Sequence, residues 1–193
     1  MVLTRARQHL LIALSVGLLC AVPACIRPQP VRRLPARLPA ALVLVVDFAD
    51  ARTPAQAPPE LESQVAEALE ARNLGARPLG FGALAGPYTE VRDTPRRLAL
   101  AAARAGDARL VVLVETSAQF YSPLSGRYKW NVTYKLSVAR PAELGAAMSS
   151  ESETSVHLDF AHEREPRALG SAARVIAREA GLLVDRFLGG TKL

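Results

Sequence analysis

The sequence predicts an α/β (α+β) sandwich in which helices pack on one mixed sheet of about five strands. Three patterns carry this prediction: two short apolar runs rich in valine, one strictly alternating segment, and a long amphipathic stripe near the end of the chain. Continuous apolar runs are typical of strands that are buried on both faces. Alternation is typical of strands with one solvated face, and an amphipathic stripe is typical of a helix that packs on a core. The expected element order is β-α-β-α-β-β-β-α.

The first half of the expected domain alternates strands with helices. The run LVLVVDF predicts a buried central strand because it is short, continuous and rich in valine. The next segment begins with Pro58 and Pro59 and carries an apolar stripe at helical spacing, which Gly75 ends. A second helix is expected to begin at Asp93 or Thr94. The expected elements are a strand at 41–48, a helix at 58–73, a strand at 76–81 and a helix at 93–106.

The second half carries three strands joined by short turns and then a long helix. Its clearest signal is the segment 128–138, where aromatic and aliphatic residues alternate with mostly polar ones. We expect Trp130 in that segment to be buried between the sheet and the C-terminal helix. On the last strand we expect Val156, Leu158 and Phe160 to face inward. The expected elements are strands at 110–121, 128–139 and 154–160, and a helix at 166–188.

The N-terminus has the features of a secretion signal. Residues 1–9 contain two arginines and no acidic residue, and an apolar run follows at 10–22. This run is shorter than the roughly 20 residues that a membrane-spanning helix needs. It leads into Val22-Pro23-Ala24-Cys25, which resembles the lipobox of bacterial lipoproteins. The resemblance implies a signal peptide at 1–24 and a diacylglycerol on Cys25.

The second cysteine, Cys20, lies inside the apolar run and is expected to leave with the signal, so no disulfide with Cys25 is expected. Cleavage after Ala24 without lipid attachment remains an alternative. Residue 26 is Ile rather than Asp. In lipoproteins of enteric bacteria, Asp at that position retains the protein at the inner membrane. The resemblance therefore favours anchoring in the outer membrane, on its periplasmic side.

A linker rich in proline and arginine is expected at 25–40, beginning with the lipidated cysteine. Its prolines favour extended polyproline geometry, so the segment can act as a semi-rigid spacer. Its arginines could instead lie on anionic lipid headgroups, and the sequence leaves both roles open. These arginines are Arg27, Arg32, Arg33 and Arg37.

The remaining residues, 41–193, are expected to form a single globular α/β domain with no net charge. Six of the 24 basic residues precede residue 41 and none of the 18 acidic residues does, so the formal net charge of +6 belongs to the signal and the linker. A neutral domain lacks the basic surface that a nucleic-acid-binding protein needs. No nucleic-acid partner is therefore expected.

Candidate catalytic and metal-ligating residues are few in the expected mature chain. His157 and Asp159 share one face of the last expected strand, but two ligands do not make a metal site, and His162 falls past the end of that face. The glycine-rich stretch GFGALAG at 80–86 lacks the Lys-Ser/Thr pair of a phosphate-binding loop. We therefore predict no catalytic, metal-binding or cofactor-binding residue. Cys25, for lipid attachment, is the one predicted site.

Several segments occur in an order that resembles a group of bacterial envelope domains. They are the strand VLVVDF, the strand in GDARLVVLVE, the alternating strand YKWNVTYKLSV and the closing amphipathic helix. The group comprises the N-terminal domain of TolB, the lipoprotein activators of penicillin-binding proteins and the core of the curli secretion lipoprotein. The resemblance spans 41–188. It implies a periplasmic adaptor or assembly domain rather than an enzyme.

The N-terminal signal and the resemblance together predict a lipid-anchored accessory protein that faces the periplasm and binds another cell-envelope protein. An alternative is a subunit of an oligomeric outer-membrane secretion or pore assembly, since an alternating strand as long as 128–138 can cross an outer membrane. This alternative would make the chain a homo-oligomer. A third alternative, a small periplasmic hydrolase, is disfavoured by the scarcity of nucleophiles and bases.

Cys25→Ser is expected to leave the protein soluble or unprocessed, because the serine offers no thiol to the diacylglycerol. Cell fractionation followed by immunoblotting measures both the location and the size of the chain. Cys20→Ser is the matched control and should stay with the membranes at mature size. A Cys25→Ser chain that is membrane-bound at mature size would show that the lipobox assignment is wrong.

Overall fold

The computed structural model shows one mixed five-stranded sheet with helices on both faces. It describes residues 37–47, 55–80, 91, 93–124, 127–160 and 164–189, all within the compact unit Ala36–Leu193. The elements in chain order are β1 (Leu38–Val46), α1 (Pro59–Glu70), β2 (Leu74–Pro78), α2 (Thr94–Arg104), β3 (Leu110–Leu124), β4 (Arg127–Ala139), a short 3-10 turn (Leu144–Ala146), β5 (Met148–Leu158) and α3 (Glu165–Gly189). The predicted fold class and element order are confirmed.

The sheet has the strand order β2-β1-β3-β4-β5. β1 pairs in parallel with β2 and β3, whereas β3, β4 and β5 form an antiparallel meander. The two apolar runs of the sequence become β1 and the first part of β3, at the centre of the sheet. Residues 41–46 and 110–114 are each at most 5% exposed. Strands buried on both faces need apolar residues at every position, which explains why these runs do not alternate.

The helices form two layers. α1 and α3 pack on one face, where the apolar stripe of α3 joins the main core with Val132 and Leu136 of β4. Trp130 belongs to the same core and is 7% exposed, so its predicted burial is confirmed. α2 packs on the other face, where Leu98 and Ala101 cover β1 and the first part of β3. The predicted apolar face of β4 therefore lies beneath the α3 layer.

Several boundaries differ from the expectation. β1 begins at Leu38 rather than at 41, so the last residues assigned to the linker belong to the sheet, and β2 begins at Leu74 rather than at 76. β5 begins at Met148 rather than at 154. The sequence did not predict the first half of this edge strand because that half is largely solvated and has no apolar pattern. Phe160 was expected to face inward but is 58% exposed, since β5 ends at Leu158.

Candidate functional site

The residues that the sequence singled out do not converge on one site. His157 is exposed on β5, and Asp159 forms an ion pair with Arg127, with Oδ1 and Nε 3.5 Å apart. Among the described residues, no three His, Cys, Asp or Glu side chains lie close enough together to hold a metal ion. No helix in those same ranges is long and apolar enough to span a membrane. The singled-out residues outside the described ranges are Cys25, His162 and 81–86.

A buried ion cluster, defined here as Arg97, Asp47 and Glu115, joins α2 to β1 and β3. Arg97 Nη1 donates to Asp47 Oδ2 at 2.8 Å and to Glu115 Oε1 at 2.9 Å, and Nη2 donates to the other Asp47 oxygen at 3.2 Å. Arg97 Nε donates to the carbonyl oxygen of Val91 at 2.7 Å. The side chains of Arg97 and Glu115 are 4% and 8% exposed, whereas that of Asp47 is 45% exposed. One buried guanidinium thus bridges two carboxylates.

Strand pairing and the stripe of α2 bring the ion cluster together. Glu115 pairs with Val45 in the parallel ladder of β1 and β3, and Asp47 is two residues further along, so both carboxylates lie on the α2 face. Arg97 lies one helical turn before Ala101 on the buried stripe of α2. Sequence analysis did not identify this site. The available signals were an acidic residue at the end of each apolar run and an arginine within an apolar helical stripe.

The contacts within the ion cluster determine the direction in which the pKa of Arg97 is shifted. Burial by itself would lower the pKa of Arg97, but its hydrogen bonds and charge interactions with Asp47 and Glu115 outweigh burial and raise that pKa above its ordinary value. The guanidinium therefore stays protonated. Glu115 Oε2 finds no hydrogen-bond donor among the described residues.

The ion cluster forms one wall of a polar cleft of about 280 Å³. Lys135 faces Glu115 on one neighbouring strand and Glu151 on the other, in cross-strand register. The residues that line the cleft offer binding groups of both charge signs, and none of the described ones is a histidine or a cysteine. The remaining polar lining on β3 and β4 includes Ser117 and Thr133.

The hairpin of β3 and β4 extends past the end of β1 and carries a group of aromatic side chains. β1 pairs with β3 only as far as Thr116, whereas β3 continues to Leu124. At about 3.4 Å per residue, the hairpin reaches ~27 Å beyond the last β1 pair. We name this group the aromatic tip and define it as Phe120, Tyr121, Tyr128 and Trp130.

The aromatic tip is held by ring contacts but is partly exposed. The Phe120 ring lies edge-on to Trp130, with centroids 5.5 Å apart, and its centroid is 6.4 Å from that of Tyr128. Tyr121 lies where the strand register shifts, with the Lys129 ammonium 4.6 Å from its ring centroid. Phe120 and Tyr121 are 46% and 65% exposed. The buried indole Nε1 of Trp130 has no acceptor within the described ranges.

No protein family and no curated protein matches this chain. The structure is similar to a hypothetical protein, CT253 of Chlamydia trachomatis, at 10% identity over 79% of this chain and 98% of that chain, with a TM-score of 0.44. It is similar to lipoprotein GNA1162 of Neisseria meningitidis at 13% identity over 72% and 96% of the two chains, with a TM-score of 0.39. The structure is also similar to the PelC dodecamer of Paraburkholderia phytofirmans at 14% identity over 77% of this chain and 90% of that chain, with a TM-score of 0.38.

Two further similar structures are a minor lipoprotein of Acinetobacter baumannii and rare lipoprotein B of Shewanella oneidensis. All these TM-scores are below 0.5, so we base no inference about the function of this chain on them. The resemblance to TolB, to the activators of penicillin-binding proteins and to the curli secretion lipoprotein stays a prediction from the sequence.

Arg97→Met is expected to lower the free energy of unfolding by about 3–5 kcal/mol, because it leaves the Glu115 carboxylate buried without its cation. The double variant Arg97→Met/Glu115→Leu should recover most of that loss, since an apolar pair of similar volume carries no buried charge. Urea denaturation followed by circular dichroism measures both values. A loss below ~1 kcal/mol for Arg97→Met would contradict the burial and pairing of this cluster.

Proposed function

We propose that this chain is an accessory (adaptor) protein that is anchored to the outer membrane by lipid on Cys25, faces the periplasm and binds another cell-envelope protein. The observation that carries the binding role is the aromatic tip, where Phe120 and Tyr121 are exposed on an ordered hairpin. We propose further that the chain acts by binding and not by catalysis. This part is supported by the described lining of the polar cleft, which contains no histidine and no cysteine.

The aromatic tip has the chemistry of a protein-binding surface. Aromatic residues are enriched at protein interfaces, where tyrosine and tryptophan also dominate the binding energy. Such rings bury a large area and have few rotatable bonds. Phe120 is held edge-on by Trp130, so little side-chain freedom is left to lose when a partner binds. Phe120 lies on the face of Tyr128 and Trp130, whereas Tyr121 lies over Lys129 on the other face, so these properties favour a partner protein that covers the end of the hairpin from both faces.

The position of the aromatic tip fits attachment through the N-terminus. The chain enters the described domain at residue 37 and begins β1 at Leu38. β3 runs parallel to β1, so the far end of β3, which carries the tip, lies at the opposite pole. The linker segment 26–37 can span ~37 Å at ~3.1 Å per residue in polyproline geometry. The segment that leads to Cys25 therefore joins the domain at the pole opposite the tip.

One feature of β5 favours the alternative of an oligomeric secretion or pore assembly. β5 (Met148–Leu158) is an edge strand of eleven residues, and in the described part of the chain no strand pairs with its outer edge. Exposed edges are commonly protected by proline, charged side chains or a bulge, and β5 carries Glu151 and Glu153 but no proline, lysine or bulge. A strand from a second copy could therefore extend the sheet. Size-exclusion chromatography in mild detergent separates a monomer or dimer, as an adaptor, from a large ring.

The double variant Phe120→Ser/Tyr121→Ser is expected to lose the partner protein. Each exposed ring that acts as a hot spot contributes ~2 kcal/mol or more, so the complex should weaken by at least about thirtyfold. Crosslinking in intact cells, followed by purification of the full chain and mass spectrometry, measures the yield of each crosslinked protein.

Leu182→Ser is the matched control, because Leu182 is an exposed apolar residue, 43% exposed, on α3. It should keep the crosslinked partner. Both variants should fractionate with membranes and keep the circular dichroism spectrum of the unaltered protein, although loss of the Phe120–Trp130 contact should lower the stability of the double variant by about 1 kcal/mol. If the double variant captures the same protein at the unaltered yield, the aromatic tip is not the interface and the proposal is wrong.

A further inference from the structure

An apolar groove of about 550 Å³ lies at the pole opposite the aromatic tip, where β1 and β3 begin and where β4 and α3 end. Its volume is within the range of about 300–1,000 Å³ that small-molecule pockets occupy. Apart from two arginines, the described side chains that line it cannot form hydrogen bonds. These apolar residues are Leu38, Ala108, Leu110, Pro141, Ala142 and Leu188.

The two arginines, Arg109 and Arg140, give the groove a cationic rim. The Arg140 guanidinium lies 5.6 Å from the centroid of the Phe187 ring, and its Nη1 is 3.4 Å from a carboxylate oxygen of Glu143. Arg109 is exposed, and its backbone N–H donates to the carbonyl oxygen of Pro39 at 2.9 Å, which fixes its position at the start of β3. The groove therefore combines an apolar interior with two guanidinium groups, of which that of Arg140 is paired with Glu143.

We propose that this groove binds one acyl chain of an anionic membrane phospholipid, whose phosphate pairs with the cationic rim. An acyl chain gains about 25 cal/mol for each Å² of apolar surface removed from water. A phosphate is the natural counterion of arginine, because the guanidinium can donate two parallel hydrogen bonds to it. Neither part alone accounts for the groove: a neutral apolar ligand leaves Arg109 unused, and a free phosphate leaves the apolar lining exposed.

The chemistry and the position of the groove favour a lipid over a peptide. A peptide backbone carries one donor and one acceptor for almost every residue, and these need partners when they are buried. Only the arginines among the described lining side chains can supply any. Leu38 lines the groove at the point where the linker joins β1, so the groove is on the pole nearest the tether. The supply of lipid at that pole rests on the proposed anchoring, whereas the binding itself does not.

The proposal is tested with the purified full chain carrying Cys25→Ser, which has no lipid of its own and needs no partner. Palmitoyl-lysophosphatidylglycerol, below its micelle concentration, is titrated into the protein in a calorimeter. Ala142→Trp fills the groove from its rim and is expected to weaken binding at least about tenfold. Ala146→Trp is the matched control, because Ala146 is exposed in the adjacent turn but does not line the groove. It should leave the affinity unchanged.

The cationic rim is tested by headgroup and by charge. Arg109→Gln should weaken the binding of the anionic lysolipid by several-fold and change that of palmitoyl-lysophosphatidylcholine less, because the lost charge pairs with the net negative headgroup. Equal losses for both lysolipids would show that the rim does not recognise an anionic headgroup. A photoreactive acyl chain provides a readout that needs no variant, since its label should map to Leu38, Leu110 or Leu188.

Two other outcomes would overturn the proposal. The groove is not a lipid site if the full chain binds neither lysolipid or if the label maps to the aromatic tip. A chain that ends at Gly189 tests whether residues 190–193 occupy the groove instead. If only that shortened chain binds the lysolipid, the occupant is the chain's own C-terminus. None of these results depends on whether the tip binds an envelope protein, so the two proposals fail separately.

Discussion

The parallel pairing of β1 with β3 ends at Thr116, although β3 continues to Leu124. The backbone N–H of Asp47 donates to the carbonyl oxygen of Thr116 at 2.8 Å, which is the last β1–β3 contact before the strands part. Up to that point helices cover both faces of the central strands, so nearly every residue there must be apolar. Beyond it, β3 has β4 as its one described neighbour, and the hairpin can carry exposed rings. Beyond this step one face of the hairpin still belongs to the core through Ala118, Trp130 and Val132, whereas Phe120 and Tyr121 are exposed.

The ion cluster lies at the same step. Asp47 follows the last residue of β1, and Arg97 attaches α2 to both central strands through its two carboxylate partners. Burying charges is costly, and the Coulomb attraction repays that cost only when the hydrogen-bond geometry is good. Here Arg97 donates from three nitrogens at 2.7–3.2 Å. The cluster therefore holds α2 over β1 and β3 and leaves the adjoining face of β4 and β5 open as a polar cleft.

Local patterns predicted the elements of this fold well. They failed for features that depend on packing between residues that are distant in the sequence. The Val-rich runs, the alternation around Trp130 and the stripe of α3 each reflect one kind of burial, so the fold class and the element order could be predicted. β5 was expected to be shorter because an edge strand has no apolar face to mark its first half. The ion cluster and the apolar groove each bring together residues from three or more elements, and the ring contacts of Phe120 join two strands, so no spacing within one segment encodes them.

The proposed binding role of the aromatic tip depends most on how the hairpin is divided into a buried part and an exposed part. The one tryptophan of the chain lies at that boundary. The measurement is the fluorescence of Trp130 in the full chain carrying Cys25→Ser, with iodide as the quencher. Trp130 is 7% exposed, so its emission should be blue-shifted and poorly quenched, and Phe120→Ala should make it more accessible to iodide. A solvent-like spectrum in the chain with Phe120, or quenching that Phe120→Ala leaves unchanged, would contradict the placement of the aromatic tip.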